Sequence, residues 1–166
     1  MAFTYDTLLT YEENRGFYLN RAYRMKVGDW FESMLGQYDP DPKAEHLGTG
    51  GVVDYRNSTY CFEQKISPAT DNHSSRRQNL IKGKQYAQDN DLEFVYAYLE
   101  DRPKNMYVKD GVLHVHGSAL FELLGVPEKY SRFKHDLQQK TEQLIQQLRN
   151  EFDQRFGFYQ SKGQVV

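Results

Sequence analysis

Between Glu12 and Leu35 the apolar positions Phe17, Leu19, Tyr23, Val27, Trp30, Phe31, Met34 and Leu35 recur at three- and four-residue steps. That period predicts an amphipathic helix, with Gly28 as the point where it divides in two. "GQYDPDPKAEHLGTGG" follows and reads as a loop, because Gly, Pro and Asp punctuate it. Val52–Tyr55 and Thr59–Ile66 are strand-like on either side of the turn residues "RNS", so they predict a hairpin that Pro68 closes. The stretch "NHSSRRQNLIKGKQYAQDN" opens on Asn and Ser capping residues and predicts a second helix, weakened in its middle by Gly83. "LEFVYAYL" is a nearly continuous apolar run, the pattern of a strand covered on both faces. "MYVKDGVLHVHG" predicts a hairpin turning at Asp110-Gly111. Ser118 then caps a short helix to Leu124, and Pro127 starts a long one to about Phe156.

The order helix, sheet, helix, sheet, helix predicts an α/β fold: a mixed central sheet flanked by helices, with a long C-terminal helix. At 166 residues one domain is expected, with a core over about 12–116 and a helical extension over about 117–156. The N-terminus has early acids and no continuous apolar run, so neither a signal peptide nor a membrane span is expected. Cys61 is the single cysteine, which excludes an intramolecular disulfide and a multi-cysteine zinc cluster and fits a reducing cytoplasm. Lys plus Arg number 21 against 23 Asp plus Glu, a formal charge of −2. Any nucleic-acid surface is therefore local.

Charge matters most in the hairpin "GGVVDYRNSTYCFEQKIS", where Asp54, Glu63 and Lys65 interrupt an otherwise apolar and turn-forming stretch. Burying an ion costs on the order of several kcal/mol unless it is paired or binds a metal. Alternation puts Cys61, Glu63 and Lys65 on one strand face, and a short turn brings Asp54 beside Glu63. Two neighbouring carboxylates call for a cation, and hard oxygen ligands suit Mg²⁺, with Mn²⁺ as a substitute. Such a metal polarises a phosphate oxygen and acidifies a bound water, while an adjacent ammonium orients the nucleophile or stabilises transition-state charge. The chemistry that follows is phosphodiester hydrolysis. The alternative is an ordinary solvated ion pair between Glu63 and Lys65.

Asp54, then Glu63-Gln64-Lys65 nine positions on, resembles the PD-(D/E)XK nuclease superfamily, the restriction-endonuclease-like fold. The resemblance implies that Asp54, Glu63 and the main-chain carbonyl of Gln64 bind Mg²⁺ and that Lys65 completes the catalytic set. It implies a further metal role for Glu32 on the preceding helix, where Gly28 and Glu32 match the Gly-x-x-x-Glu of exonuclease-type branches. Of the accompanying Gln-x-x-x-Tyr, Lys82 and Tyr86 keep only the tyrosine, and Val53 stands where the family proline would.

DNA contact is expected from His73, Ser74, Ser75, Arg76, Arg77, Gln78, Lys82 and Lys84. Hydroxyls and backbone N–H groups at a helix start, followed by four cations, suit phosphates, and the arginines and Gln78 also suit base edges. His114 and His116 read as exposed residues on one strand face, without the partners a metal site needs. Phe133, Leu137, Leu144, Leu148 and Phe152 form a near-heptad stripe, which either packs on its own domain or pairs with a second copy. No phosphate-cradling glycine loop is present, so no nucleotide cofactor is expected. The expectation is a Mg²⁺-dependent endonuclease acting on double-stranded DNA as a homodimer, most like a type II restriction enzyme of a prokaryotic or phage-encoded cytoplasmic system. A repair, recombination or nonspecific nuclease of the same superfamily, or a catalytically silent DNA-binding module, is the alternative.

Overall fold

The computed structural model describes residues 3–48, 51–68 and 73–161, with the side chain of His73 outside the description. Helix α1 runs over Tyr11–Met34 and ends in a short 3-10 turn, Leu35–Gln37. Gly28 does not divide it: a Cβ there would meet Ile66 at an ordinary 3.8 Å, so the glycine marks a helix face against the sheet rather than a break. The loop that follows contains a two-residue strand, β1 (Glu45–His46), which the Gly/Pro pattern hides. Its Asp39 carboxylate accepts bonds from the Tyr55 hydroxyl (2.8 Å) and the Asn57 amide (2.9 Å), and Asp41 holds Ser58. These bonds pin the turn between β2 (Tyr55–Arg56) and β3 (Tyr60–Lys65).

Helix α2 (His73–Asp89) connects β3 to β4 (Glu93–Tyr98), which pairs with β3 in parallel, as a crossover connection requires. The expected Asn72 cap of α2 lies outside the described residues. Strands β5 (Met106–Lys109) and β6 (Val112–His116) form the second hairpin, and both Asp110 (φ 54°) and Gly111 (φ 73°) take the left-handed conformation of its tight turn. The sheet order is β1-β2-β3-β4-β6-β5, with β3, β4 and β6 parallel and the outer strands antiparallel. The fold is thus α/β with a mixed six-stranded sheet, flanking helices and a long C-terminal helix. Helix α3 (Ser118–Leu123) is capped by Gly117 at φ 49° and not by Ser118, whose hydroxyl instead accepts the Asn105 amide at 3.0 Å. A 3-10 turn over Pro127–Lys129 leads into α4 (Tyr130–Phe156).

The chain divides into two compact units, Gly28–His135 and Met1–Val27 with Asp136–Val166. In Gly28–His135, α2 lays Leu80, Tyr86 and Ala87 over Cys61, Phe94 and Tyr96 of the sheet. Gly83 makes that approach close, since a Cβ on it would fall 2.3 Å from the Phe94 ring. On the opposite face Phe62 packs with Tyr55, and Phe133 meets Phe31, Tyr38 and Phe121. In the other unit Phe152 is fully buried among Phe3, Tyr11 and Tyr18. The apolar stripe of α4 is therefore covered by its own chain, with Phe133, Leu144, Leu148 and Phe152 all buried. Among the described residues no helix is long and apolar enough to cross a membrane.

Candidate active site

Strand β3 carries Glu63, Gln64 and Lys65 toward the carboxyl end of the parallel strands, where open α/β sheets usually place their ligands. The Lys65 ammonium lies 3.3 Å from the Glu63 carboxylate, and both side chains are largely withdrawn from solvent. This is not a solvated surface pair.

Asp54 reaches the same stretch by a different route from that of a plain hairpin. Its N–H bonds to the carbonyl of Phe62, the residue that β2 already pairs with Tyr55. Two residues thus oppose one, the arrangement of a bulge, which re-aims a side chain where regular alternation would turn it elsewhere. The Asp54 carboxylate accepts the Gln64 N–H at 2.7 Å. In a strand the N–H and C=O of one residue point to the same side. The Gln64 carbonyl therefore points toward Asp54, while the next carbonyl, that of Lys65, turns to β4 and accepts Leu99 N–H at 2.9 Å.

Glu32 joins from α1. Burial, then the carboxylates of Asp54 and Asp29, push its carboxyl up to about 7, and Lys65 partly offsets them. Glu32 thus lies within electrostatic reach of Asp54 and Lys65. Gln64 ties that helix to the strand, donating its side-chain amide to the Phe31 carbonyl at 3.1 Å. Its own Oε1 is buried without a hydrogen-bond partner among the described residues.

The donors suit a magnesium ion in kind: carboxylate and carbonyl oxygens, a buried orphan oxygen nearby, and a carboxyl raised first by burial and then by neighbouring carboxylates. No group of three or more His, Cys, Asp or Glu side chains is gathered to hold a metal among the described residues. Glu32, Asp54 and Glu63 therefore do not form such a group, and a metal held here would draw on Asp54, Glu63 and the Gln64 carbonyl.

The expected DNA-contact residues lie on α2. Ser74, Ser75, Arg77, Gln78 and Lys82 are exposed and Arg76 is half-buried, whereas His73 lies outside the described side chains. Lys84 is exposed but donates to the Asp110 carbonyl at 2.7 Å, fastening α2 to the β5–β6 turn. Tyr86 likewise holds β2, accepting from Arg56 at 3.1 Å.

His114 and His116 are not exposed. Both are fully buried, paired with the Tyr98 and Tyr107 hydroxyls at 2.9 Å and stacked among Tyr96, Tyr98 and Tyr107. The tyrosines give each imidazole a partner that strand alternation alone does not show. Glu63, Tyr96, His114 and Tyr107 stand in register across four strands, a row that sequence reasoning missed because its members come from separate segments.

No family model, curated protein or solved structure matches this chain.

Proposed function

We propose that this protein is a Mg²⁺-dependent DNA endonuclease of the PD-(D/E)XK type, most like a type II restriction enzyme. The observation that supports it most is the convergence on one β3 segment. Asp54 is bound to Gln64 N–H through a bulge, Lys65 is 3.3 Å from Glu63, and Glu32 is raised first by burial and then by the charge of Asp54. A bound Mg²⁺ would supply Lewis acidity toward a phosphodiester oxygen and acidify a water. Asp54, Glu63 and the Gln64 carbonyl would hold it, with Glu32 assisting. Lys65 would orient the attacking water or stabilise negative charge developing on the phosphate, as a fixed ammonium in a partly dry site does well. Arg76 and Arg77 would hold the DNA backbone.

Cutting both strands of a duplex calls for two such sites, so a homodimer belongs to this reading. The α4 stripe is not its seam, being buried within the chain. The proposed setting remains a prokaryotic or phage-encoded cytoplasmic system.

One observation favours a second reading, a catalytically silent DNA-binding module. The Glu63–Lys65 pair and the Asp54–Gln64 bond satisfy the acids without a metal. Incubation with plasmid DNA and Mg²⁺ separates the two. Discrete fragments are expected for the restriction enzyme, and a smear would indicate a nonspecific or exonucleolytic nuclease. DNA retention without cutting would favour the silent module.

A further inference from the structure

Beside α2 lies an open cavity of about 700 Å³ lined by Ser74, Arg76, Arg77, Leu80, Lys109 and Asp110. A second, of about 600 Å³, shares Lys109 and adds Arg102, Lys104 and Tyr107. Among the described residues, five cations from α2, β5 and the loop before β5 thus line a furrow made of two cavities that share Lys109, with Asp110 as the one acid in those linings. Glu100 offsets Arg102 at 3.4 Å, which leaves Arg76, Arg77, Lys104 and Lys109 as the principal charges. Arg76 and Lys109, from different elements, both lie within electrostatic reach of the buried His114.

The register sets where this furrow lies. Glu63, Tyr96 and His114 are directly opposed across β3, β4 and β6, and opposed residues share a sheet face. His114 is then two strand spacings from Glu63, roughly 10 Å. One DNA strand covers that distance in about three nucleotides.

We infer that the furrow between α2 and the β5–β6 hairpin binds a nucleic-acid phosphate backbone, with Lys104 and Lys109 as contacts alongside Arg76 and Arg77. A backbone fits better than a compact anion, because the cations are spread along two adjoining cavities instead of surrounding one point. This inference rests on the proposed DNA substrate but not on cleavage.

The test is fluorescence anisotropy of a labelled DNA duplex in EDTA over a salt series. It compares wild type, Lys104→Ala/Lys109→Ala and, as a control of equal charge, Lys134→Ala/Arg149→Ala on exposed positions of α4. The β5 pair should weaken binding about tenfold and reduce the slope of log affinity against log salt by about two, while the α4 pair changes neither. An unchanged slope in the β5 pair, an equal loss in the α4 pair, no binding by wild type, or equal displacement of the duplex by polyglutamate would overturn the inference. Plasmid cleavage in Mg²⁺ reads the nuclease proposal separately. Lysine-dependent binding without cutting would keep the furrow and remove the nuclease, whereas cutting unaffected by the β5 pair would do the reverse.

Discussion

The acid and lysine positions of the candidate site are legible because each charge costs too much in an apolar strand to be there without a partner. What the residues do not disclose is aim. A bulge adds one position to a strand without altering its composition, so the alternation that places Glu63 and Lys65 gives no notice that Asp54 is turned to the Gln64 N–H. The histidines fail for a related reason: a polar residue at every second position reads as exposed unless its buried partners are known. His114 carries a measurable consequence. Burial, then repulsion by Arg76, Lys109 and His116, hold its imidazole down at about 4, against an ordinary 6.5. The unfolded chain therefore binds this proton first as pH falls. The associated stability is complete above about pH 6.5, declines toward pH 4 and is absent below it, a change of about 3 kcal/mol. Urea denaturation at several pH values should show this decline in wild type and a shallower one in His114→Phe. Parallel profiles would show that His114 is not the group responsible. Gly83 gives a second check. A methyl group there meets the Phe94 ring, so Gly83→Ala should lose about 1–3 kcal/mol despite its better helix propensity. A gain in stability would mean that α2 does not lie this close.

At the level of elements, long periodic segments and tight turns are legible, and short or borrowed structure is not. The α1 and α4 helices and the Asp110-Gly111 hairpin follow from periodicity and turn chemistry. Strand β1 has two residues, too few to carry a period, and exists because β2 offers it an edge. Gly117 replaces Ser118 as the cap of α3 because the chain must turn through positive φ beside Asp101, where a Cβ would fall at 2.5 Å. The α4 stripe is legible as apolar but not as to what covers it. Leu148 is fully buried in its own chain, so Leu148→Ala should cost about 2–5 kcal/mol of stability by opening a cavity. Denaturation should detect that loss at protein concentrations where sedimentation shows no change in association. A variant as stable as wild type but weaker in self-association would place the stripe at an interface between copies.

For the molecule as a whole, the order of elements predicts the mixed sheet because a parallel neighbour requires a crossover helix, and α2 is the segment long enough to provide it between β3 and β4. The division into two compact units is not legible, since both α1 and α4 run through it without a glycine-rich or proline-rich linker. The proposed chemistry falls within Gly28–His135, which contains Glu32, Asp54, Glu63, Lys65 and the basic furrow. Within that unit the roles are separable, because a ligand and a charge-stabilising group respond differently to removal. Glu32→Gln should reduce DNA cleavage less than Asp54→Asn, since its carboxyl is already partly neutral near pH 7, and equal losses would raise it to a primary ligand. The decisive measurement is calorimetric Mg²⁺ or Ca²⁺ titration beside plasmid cleavage for wild type, Asp54→Asn, Glu63→Gln and Lys65→Met. Either amide should weaken metal binding and cutting together. Lys65→Met should nearly abolish cutting while metal and DNA binding persist, because in the proposed mechanism the ammonium would act on the transition state and not on the ion. Wild-type cleavage by Lys65→Met, or normal metal binding and cleavage by both amide variants, would contradict a nuclease centre on β3.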